Sequence, residues 1–409
     1  TPRIPLNIQP LPAMMAPFFD SDAFITVWDT RNVREPKERR SPLFKGIHDH
    51  RREQSAAPTG DRHIELPIEG GAYTVYWMRL EDPTQRGQQS GEGTFVLDLP
   101  APGVYRLSIV GDIENIIFYD YGDADKLIDI EQWGTTRWMT MERAFQGARN
   151  LDISASDTPD LSMVHSTMSM FEGAESFNAP LNDWDVSAVV HMRTMFKDAS
   201  AFNQDLDEWD TRSLEVVEFM FSEATAFNGA VEGWDMRGVR STAGMFQEAA
   251  SFNQPVNAWD VSAVRDMPYM FKGATAFNQE LDQWNVRLVE LFDYFLADAT
   301  SFNSSMAGWD LVCAYDMTAM FKNARSFNQP LDSWQLYDGP YSIDTMESMF
   351  EDATAFNQPL NGWEIPASVD VTDMFRGADA FEQDLSDWEA DPTSPKSDES
   401  SSTSSEWQV

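Results

Sequence analysis

Residues 245–267 read MFQEAASFNQPVNAWDVSAVRDM, and variants of this line recur through two thirds of the 409-residue chain. Trp184, Trp209, Trp234, Trp259, Trp284, Trp309 and Trp334 stand 25 residues apart; Trp363 follows after 29 and Trp388 after 25 again. A phenylalanine lies seven residues before each: Phe177, Phe202, Phe227, Phe252, Phe277, Phe302, Phe327, Phe356 and Phe381. An alanine precedes each of those by three, from Ala174 to Ala378. Asparagine follows the Phe at Asn178, Asn203, Asn228, Asn253, Asn278, Asn303, Asn328 and Asn357, and Glu382 breaks the series. Nine copies in one register make this a repeat protein.

The unit predicts two short elements. Val189, Met192, Phe196 and Ala199 are spaced by three and four, which predicts a short helix with one apolar face. Phe202 and Leu206 would share one face of a short strand. Stacked units would bury what one unit cannot. Pro180, Pro255, Pro330 and Pro359 oblige such a strand to be short or to end there, because proline has no N–H for a ladder. The Asn row is expected to bond backbone groups of its own or the next unit, with a ligand-reading row as the alternative. The Trp row is expected in the core rather than as a carbohydrate platform. The Trp-Asp pairs do not indicate a propeller, since 25 residues cannot hold a four-stranded blade.

On these residues the unit resembles the repeat of BspA-like leucine-rich-repeat bacterial surface proteins. The segments Asp129–Gly134, Trp138–Ala148 and Asp157–Ser162 are similar to that family's first, irregular coil. The resemblance spans about residues 124–390. It implies a right-handed solenoid, a secreted or cell-surface setting, and adhesion or ligand binding without catalysis; it carries over no binding residue. The expected fold is thus an α/β repeat solenoid, leucine-rich-repeat-like, with about nine to ten coils of short helix plus short strand.

A small all-β sandwich is expected in front. Strand-like runs occur at Phe24–Trp28, Ile64–Ile68, Tyr73–Leu80, Thr94–Leu99, Val104–Val110 and Ile116–Tyr119. Pro102-Gly103-Val104-Tyr105 resembles the P-G-x-Y turn of immunoglobulin-like PKD domains, although Trp77-Met78-Arg79-Leu80 stands where that family has W-G-D-G. The reading divides the chain into a Pro-rich linker 1–19, a β domain 20–122 with a charged insertion 31–62, the repeats 123–389, and a Ser-rich acidic tail 390–409. The chain begins at Thr1, which leaves a removed leader open.

The charge is −38, and it is uneven: residues 1–132 hold 21 acids and 14 bases, leaving 46 acids and 15 bases for residues 133–409. Nucleic acid and anionic membrane surfaces are disfavoured partners, and no apolar run is long enough to span a bilayer. An excess of Asp with only 7 Lys resembles a halophile composition, for which stability should rise with salt. Weak association of divalent cations is the other use of such a coat. Cys313, the single cysteine, excludes an internal disulfide and is expected to be filler. His48 and His50 lack a third ligand, and the acids Asp123, Asp125 and Asp129 lack the glycine and terminal Glu of a calcium loop. No phosphate-cradling loop, G-x-S-x-G, H-E-x-x-H or C-x-x-C occurs. The expectation is a non-enzyme without catalytic residues, metal or cofactor, holding an extracellular protein or glycan. A structural component of a cell envelope or virion appendage is the alternative.

Overall fold

The structure is a computed structural model describing residues 16–33, 59–120, 122–336, 343–390 and 392. Most of the linker 1–19, most of the insertion 31–62 with His48 and His50, and nearly all of the tail 390–409 lie outside the described residues.

Among the described residues eight strands occupy the front: β1 (Phe24–Asp29), β2 (His63–Leu66), β3 (Ile68–Arg79), β4 (Arg86–Glu92), β5 (Phe95–Asp98), β6 (Val104–Ile116), β7 (Leu127–Gln132) and β8 (Asp152–Ile153). Six form one sheet in the order β4-β3-β6-β1-β7-β8; β2 pairs with β5 apart from it. β1 lies between β6 and β7 and is buried on both faces, as its run of Phe24, Ile25, Val27 and Trp28 demands. β4 reads RGQQSGE and carries no hydrophobic alternation. It is an edge strand held by backbone pairing to β3, so its sequence did not announce it. Its glycines make room for rings: a Cβ at Gly87 would lie 2.7 Å from Trp77, and one at Gly91 2.4 Å from Phe95.

The expected fold class is overturned. The front is not an immunoglobulin or PKD-like sandwich, because one mixed sheet takes six of the eight strands and ends in the parallel pair β7–β8. Nor are the repeats an α/β solenoid of helix plus strand. Among the described residues they hold no α-helix, and beyond β8 they hold only isolated parallel bridges such as His191↔Val216 and Asp266↔Leu291.

The backbone shows why. Each unit contains an arc of seven residues whose second and fourth N–H positions outward of the turn fall on residues with positive φ: Thr194 (52°) and Asp198 (59°) in the arc Met192–Asp198. A helix needs consecutive right-handed residues, so two left-handed ones per arc forbid it. The N–H groups instead alternate. Those of Met192, Thr194, Phe196 and Asp198 donate to Val216, Glu218, Met220 and Ser222 of the next unit, while Met195, Lys197 and Ala199 donate three residues back. The apolar spacing of three and four therefore arises from successive tight turns. Such arcs begin at Met141, Thr167, Met192, Val217, Thr242, Met267, Phe292, Met317, Met346 and Val371, giving ten layers among the described residues. A further row, Thr140, Ser166, Ser241, Asp316, Thr345 and Asp370, caps the turn by accepting the N–H two residues on.

Aromatic columns run through the layers. Phe196 stacks on Phe202 within its layer (4.1 Å) and on Phe221 of the next (5.4 Å). The seventh layer departs: Leu296 takes the Phe position, while Phe292 and Phe295 take two Met positions. Phe295 then meets Phe271 edge-on at 81°. The lost ring is replaced by two neighbours, so the volume stays filled. The sheet joins this core directly, Phe24 packing against Trp133 and Trp138.

Candidate functional site

The repeated residues are consumed by the fold. Each Asn side-chain oxygen accepts the backbone N–H of the Asn in the next layer: Asn178 from Asn203, Asn203 from Asn228, Asn228 from Asn253, Asn253 from Asn278, Asn278 from Asn303, Asn303 from Asn328, and Asn328 from Asn357. Asn357 accepts from Glu382 N–H, where the row ends. Gln204, Gln279, Gln358 and Gln383 donate their side-chain amides to the preceding layer's Asn. The indoles of Trp209, Trp234, Trp259, Trp284, Trp309, Trp334 and Trp363 donate to a carbonyl of the layer before. Trp184 and Trp388, like the rest, are buried. The Phe column from Phe177 to Phe356 is fully buried. The Phe and Trp rows are buried, and the Asn row, exposed at several layers, ties each layer to the next through its side-chain oxygens.

The aspartate after the tryptophan is also structural. Asp185, Asp210, Asp235 and Asp260 accept the N–H two residues on and close a turn. Arg212 and Arg237 add ion pairs to two of them.

The first left-handed position of the arcs is not uniform, and its residues range from buried to half-buried. At the first left-handed position the layers carry Arg143, Ser169, Thr194, Phe219, Gly244, Tyr269, Tyr294, Ala319, Ser348 and Asp373. Large aromatic residues are unusual there. Tyr269 and Tyr294 stack at 5.3 Å, and the Lys272 ammonium lies 5.9 and 5.6 Å from their centroids. Phe219 leans over the next layer, where a Cβ on Gly244 would lie 2.3 Å from its ring. Asp266, Glu290, Asp293 and Asp316 flank this strip, with Tyr315 exposed beside them. Residue types alone flagged none of this strip, because each member replaces a repeat position that is small or polar elsewhere.

Burial and neighbouring groups shift several acids of the layers, some upward and some downward. Burial, then the charge of Asp316, lifts Asp293 to about 6. Burial, then the hydrogen bond and charge of Glu223, lifts Asp198 to about 6. Burial and Glu290 raise Asp266. Conversely, Asp210 is lowered by Arg212, Asp235 by Arg237, and Asp260 by Ser262. A raised carboxyl takes up its proton first in the native state, so stability grows as pH falls through about 6. A lowered carboxyl gives stability above its unfolded pKa, which is lost as pH falls through the depressed value. The melting temperature is therefore expected to rise from pH 8 to about 5 and to drop below about 4. A thermal scan across that range checks this, and a monotonic fall from pH 8 downward would contradict it.

Among the described residues no group of three or more His, Cys, Asp or Glu side chains is arranged to hold a metal ion. No helix there is long and apolar enough to cross a membrane. Asp123 has a different task from calcium binding. It pairs with Lys126 at 2.8 Å, both side chains being fully buried. Lys126 donates to the carbonyls of Thr59, Gly60 and His63, and Asp123 accepts the N–H groups of Thr59 and Glu65. Cys313 is partly exposed and free.

The family model described as "Mycoplasma protein of unknown function, DUF285" matches residues 139–257, 219–334 and 339–404. No curated protein and no solved structure matches the chain. The matched segments cover more than half of the sequence and fall on the stacked 25-residue layers, and the chain is a repeat protein belonging to the DUF285 family.

Proposed function

We propose that this chain is a non-catalytic, secreted or cell-surface binding protein that presents the outer side of its layers to an extracellular protein or glycan. One observation carries the reading. The repeated Phe and Trp residues are buried and the Asn oxygens bond between layers, while the departures from the repeat collect between Phe219 and Asp316 as half-buried rings beside carboxylates. Aromatic rings beside carboxylates suit contact with sugar faces or with cationic side chains. The resemblance of the unit to BspA-like surface proteins supports the setting, and the acidic surface argues against nucleic acid or an anionic membrane as the target.

The test is an array of glycans and extracellular proteins probed with the full chain and with a Tyr269→Ala/Tyr294→Ala variant. Binding that drops about tenfold or more in the variant is expected, equivalent to about 1.4 kcal/mol. Binding unchanged by the two substitutions would remove the strip from the account. Turnover of any arrayed compound would overturn the non-catalytic reading.

A further inference from the structure

The turn that carries each tryptophan differs between layers. The residue before the tryptophan is Asp183, Glu208, Gly233, Ala258 and then Gln283 in successive layers. The residue after it is Asp185, Asp210, Asp235, Asp260 and then Asn285. At Ala258 the short side chain leaves a groove of about 560 Å³. That volume falls within the ordinary range of small-ligand clefts, about 300–1,000 Å³. The groove shares no residue with the Tyr269–Tyr294 strip.

The polar lining of the groove is not spent by the fold. Glu232 has no hydrogen bond or ion pair among the described residues. Asp260 uses Oδ1 to accept the Ser262 N–H and hydroxyl, at 3.1 and 2.6 Å, which leaves Oδ2. Gln283 donates Nε2 to Asp282 at 3.3 Å, which leaves Oε1 as an acceptor. Asn285 accepts the Arg287 N–H at 3.3 Å, which leaves Nδ2 as a donor. Pro255, Ala258 and Val261 supply the apolar lining. Among the described residues no Lys, Arg or His lines the groove, so an anionic ligand would meet carboxylates and no cation. An alkylammonium would pair with the carboxylates but has nothing to accept the Asn285 N–H. A hydroxyl both donates and accepts, and a pyranose ring adds a C–H face for Pro255 and Ala258.

We propose that this groove binds a neutral pyranose residue of a glycan. Its hydroxyls would donate to Glu232, Asp260 and Gln283 and accept from Asn285, and its C–H face would lie on Pro255 and Ala258. Trp259 also lines the groove, yet it is only 2 % exposed and its indole N–H donates to the Val231 carbonyl, so the sugar meets no aromatic platform. Affinity then comes from hydroxyl contacts made in competition with water, and a millimolar Kd for a short oligosaccharide is expected. This site adds to the tyrosine strip and does not rest on it, so either can fail without the other.

The experiment records saturation-transfer difference NMR on the full chain with cellotriose, laminaritriose, mannotriose and galactotriose. Trigalacturonate and trilysine are the anionic and cationic comparisons. Saturable transfer is expected for at least one neutral trisaccharide and none for trigalacturonate. Two variants place in the groove residues that other layers hold at the same positions, so the fold tolerates them. Ala258→Gln, as at Gln283, fills the groove and should abolish the transfer. Asn285→Asp, as at Asp260, removes the donor and should weaken binding about tenfold, the loss of one hydrogen bond. Tyr269→Ala/Tyr294→Ala should leave the transfer unchanged. No transfer to any neutral trisaccharide, transfer unchanged in either groove variant, or loss in the tyrosine variant would overturn the proposal. Displacement of the sugar by trilysine would overturn it in favour of a cationic partner.

Discussion

Replacing Phe246 with alanine is expected to cost about 3–5 kcal/mol, the range for emptying a fully buried aromatic site. Phe246 lies in the fifth of the ten layers. Its ring stacks on Phe252 at 3.8 Å, on Phe221 at 5.5 Å and on Phe271 at 5.7 Å, so the loss touches its own layer and both neighbours. In a stack of layers, stability is the sum of unit terms and nearest-neighbour terms. Phe375→Ala, in the tenth layer, removes contact with one neighbouring layer among the described residues rather than two. It should cost roughly half as much on that nearest-neighbour picture. Chemical denaturation of both variants decides the matter: equal losses would reject the additive picture. The seventh layer marks the limit of the argument, since Leu296 is tolerated there by means of Phe292 and Phe295. A Phe246→Leu variant without such partners should therefore recover only part of the loss.

Lys126→Met is the second large effect, also about 3–5 kcal/mol, because it strands the carboxylate of Asp123 in a fully buried site. The hydrogen bonds from Thr59 and Glu65 soften the loss but do not supply a positive charge. The double variant Asp123→Asn/Lys126→Met should be more stable than Lys126→Met alone, since it removes the stranded charge. A double variant no more stable than the single one would show that Lys126 acts through its three carbonyl contacts and not through the pair. Protease sensitivity should rise near Thr59–His63, which the ammonium ties to the start of β7.

The difference between expectation and structure is instructive at particular positions. Phe177, Asn178 and Trp184 announce their columns by period alone, since a residue type recurring every 25 positions needs the same surroundings each time. Helix and tight turns, however, leave the same apolar spacing. The information that separates them sits in the row Gly147, Gly173, Asp198, Glu223, Glu248, Gly273, Asp298, Asn323, Asp352 and Gly377, where positive φ recurs. Eight of these ten are Gly, Asp or Asn, the residues that tolerate it, and that row reads against a helix. β4 and the Lys126 contacts with Thr59, Gly60 and His63 lacked any such signal: one is polar edge backbone, and the others join residues 63 to 67 positions apart.

Period, register and the identity of the buried columns follow from the order of residues, because hydrophobic burial depends on residue type at a repeated place. The direction in which the N–H groups point and the strip from Phe219 to Tyr294 come only from the folded chain. Each depends on backbone dihedrals and on which layer lies next to which, and a residue's type does not state either. The −38 charge belongs to both accounts: composition sets its size, and the stacking of layers buries Asp198 beside Glu223 and Asp293 beside Asp316, where burial first and the neighbouring charge second make Asp198 and Asp293 hold on to their protons.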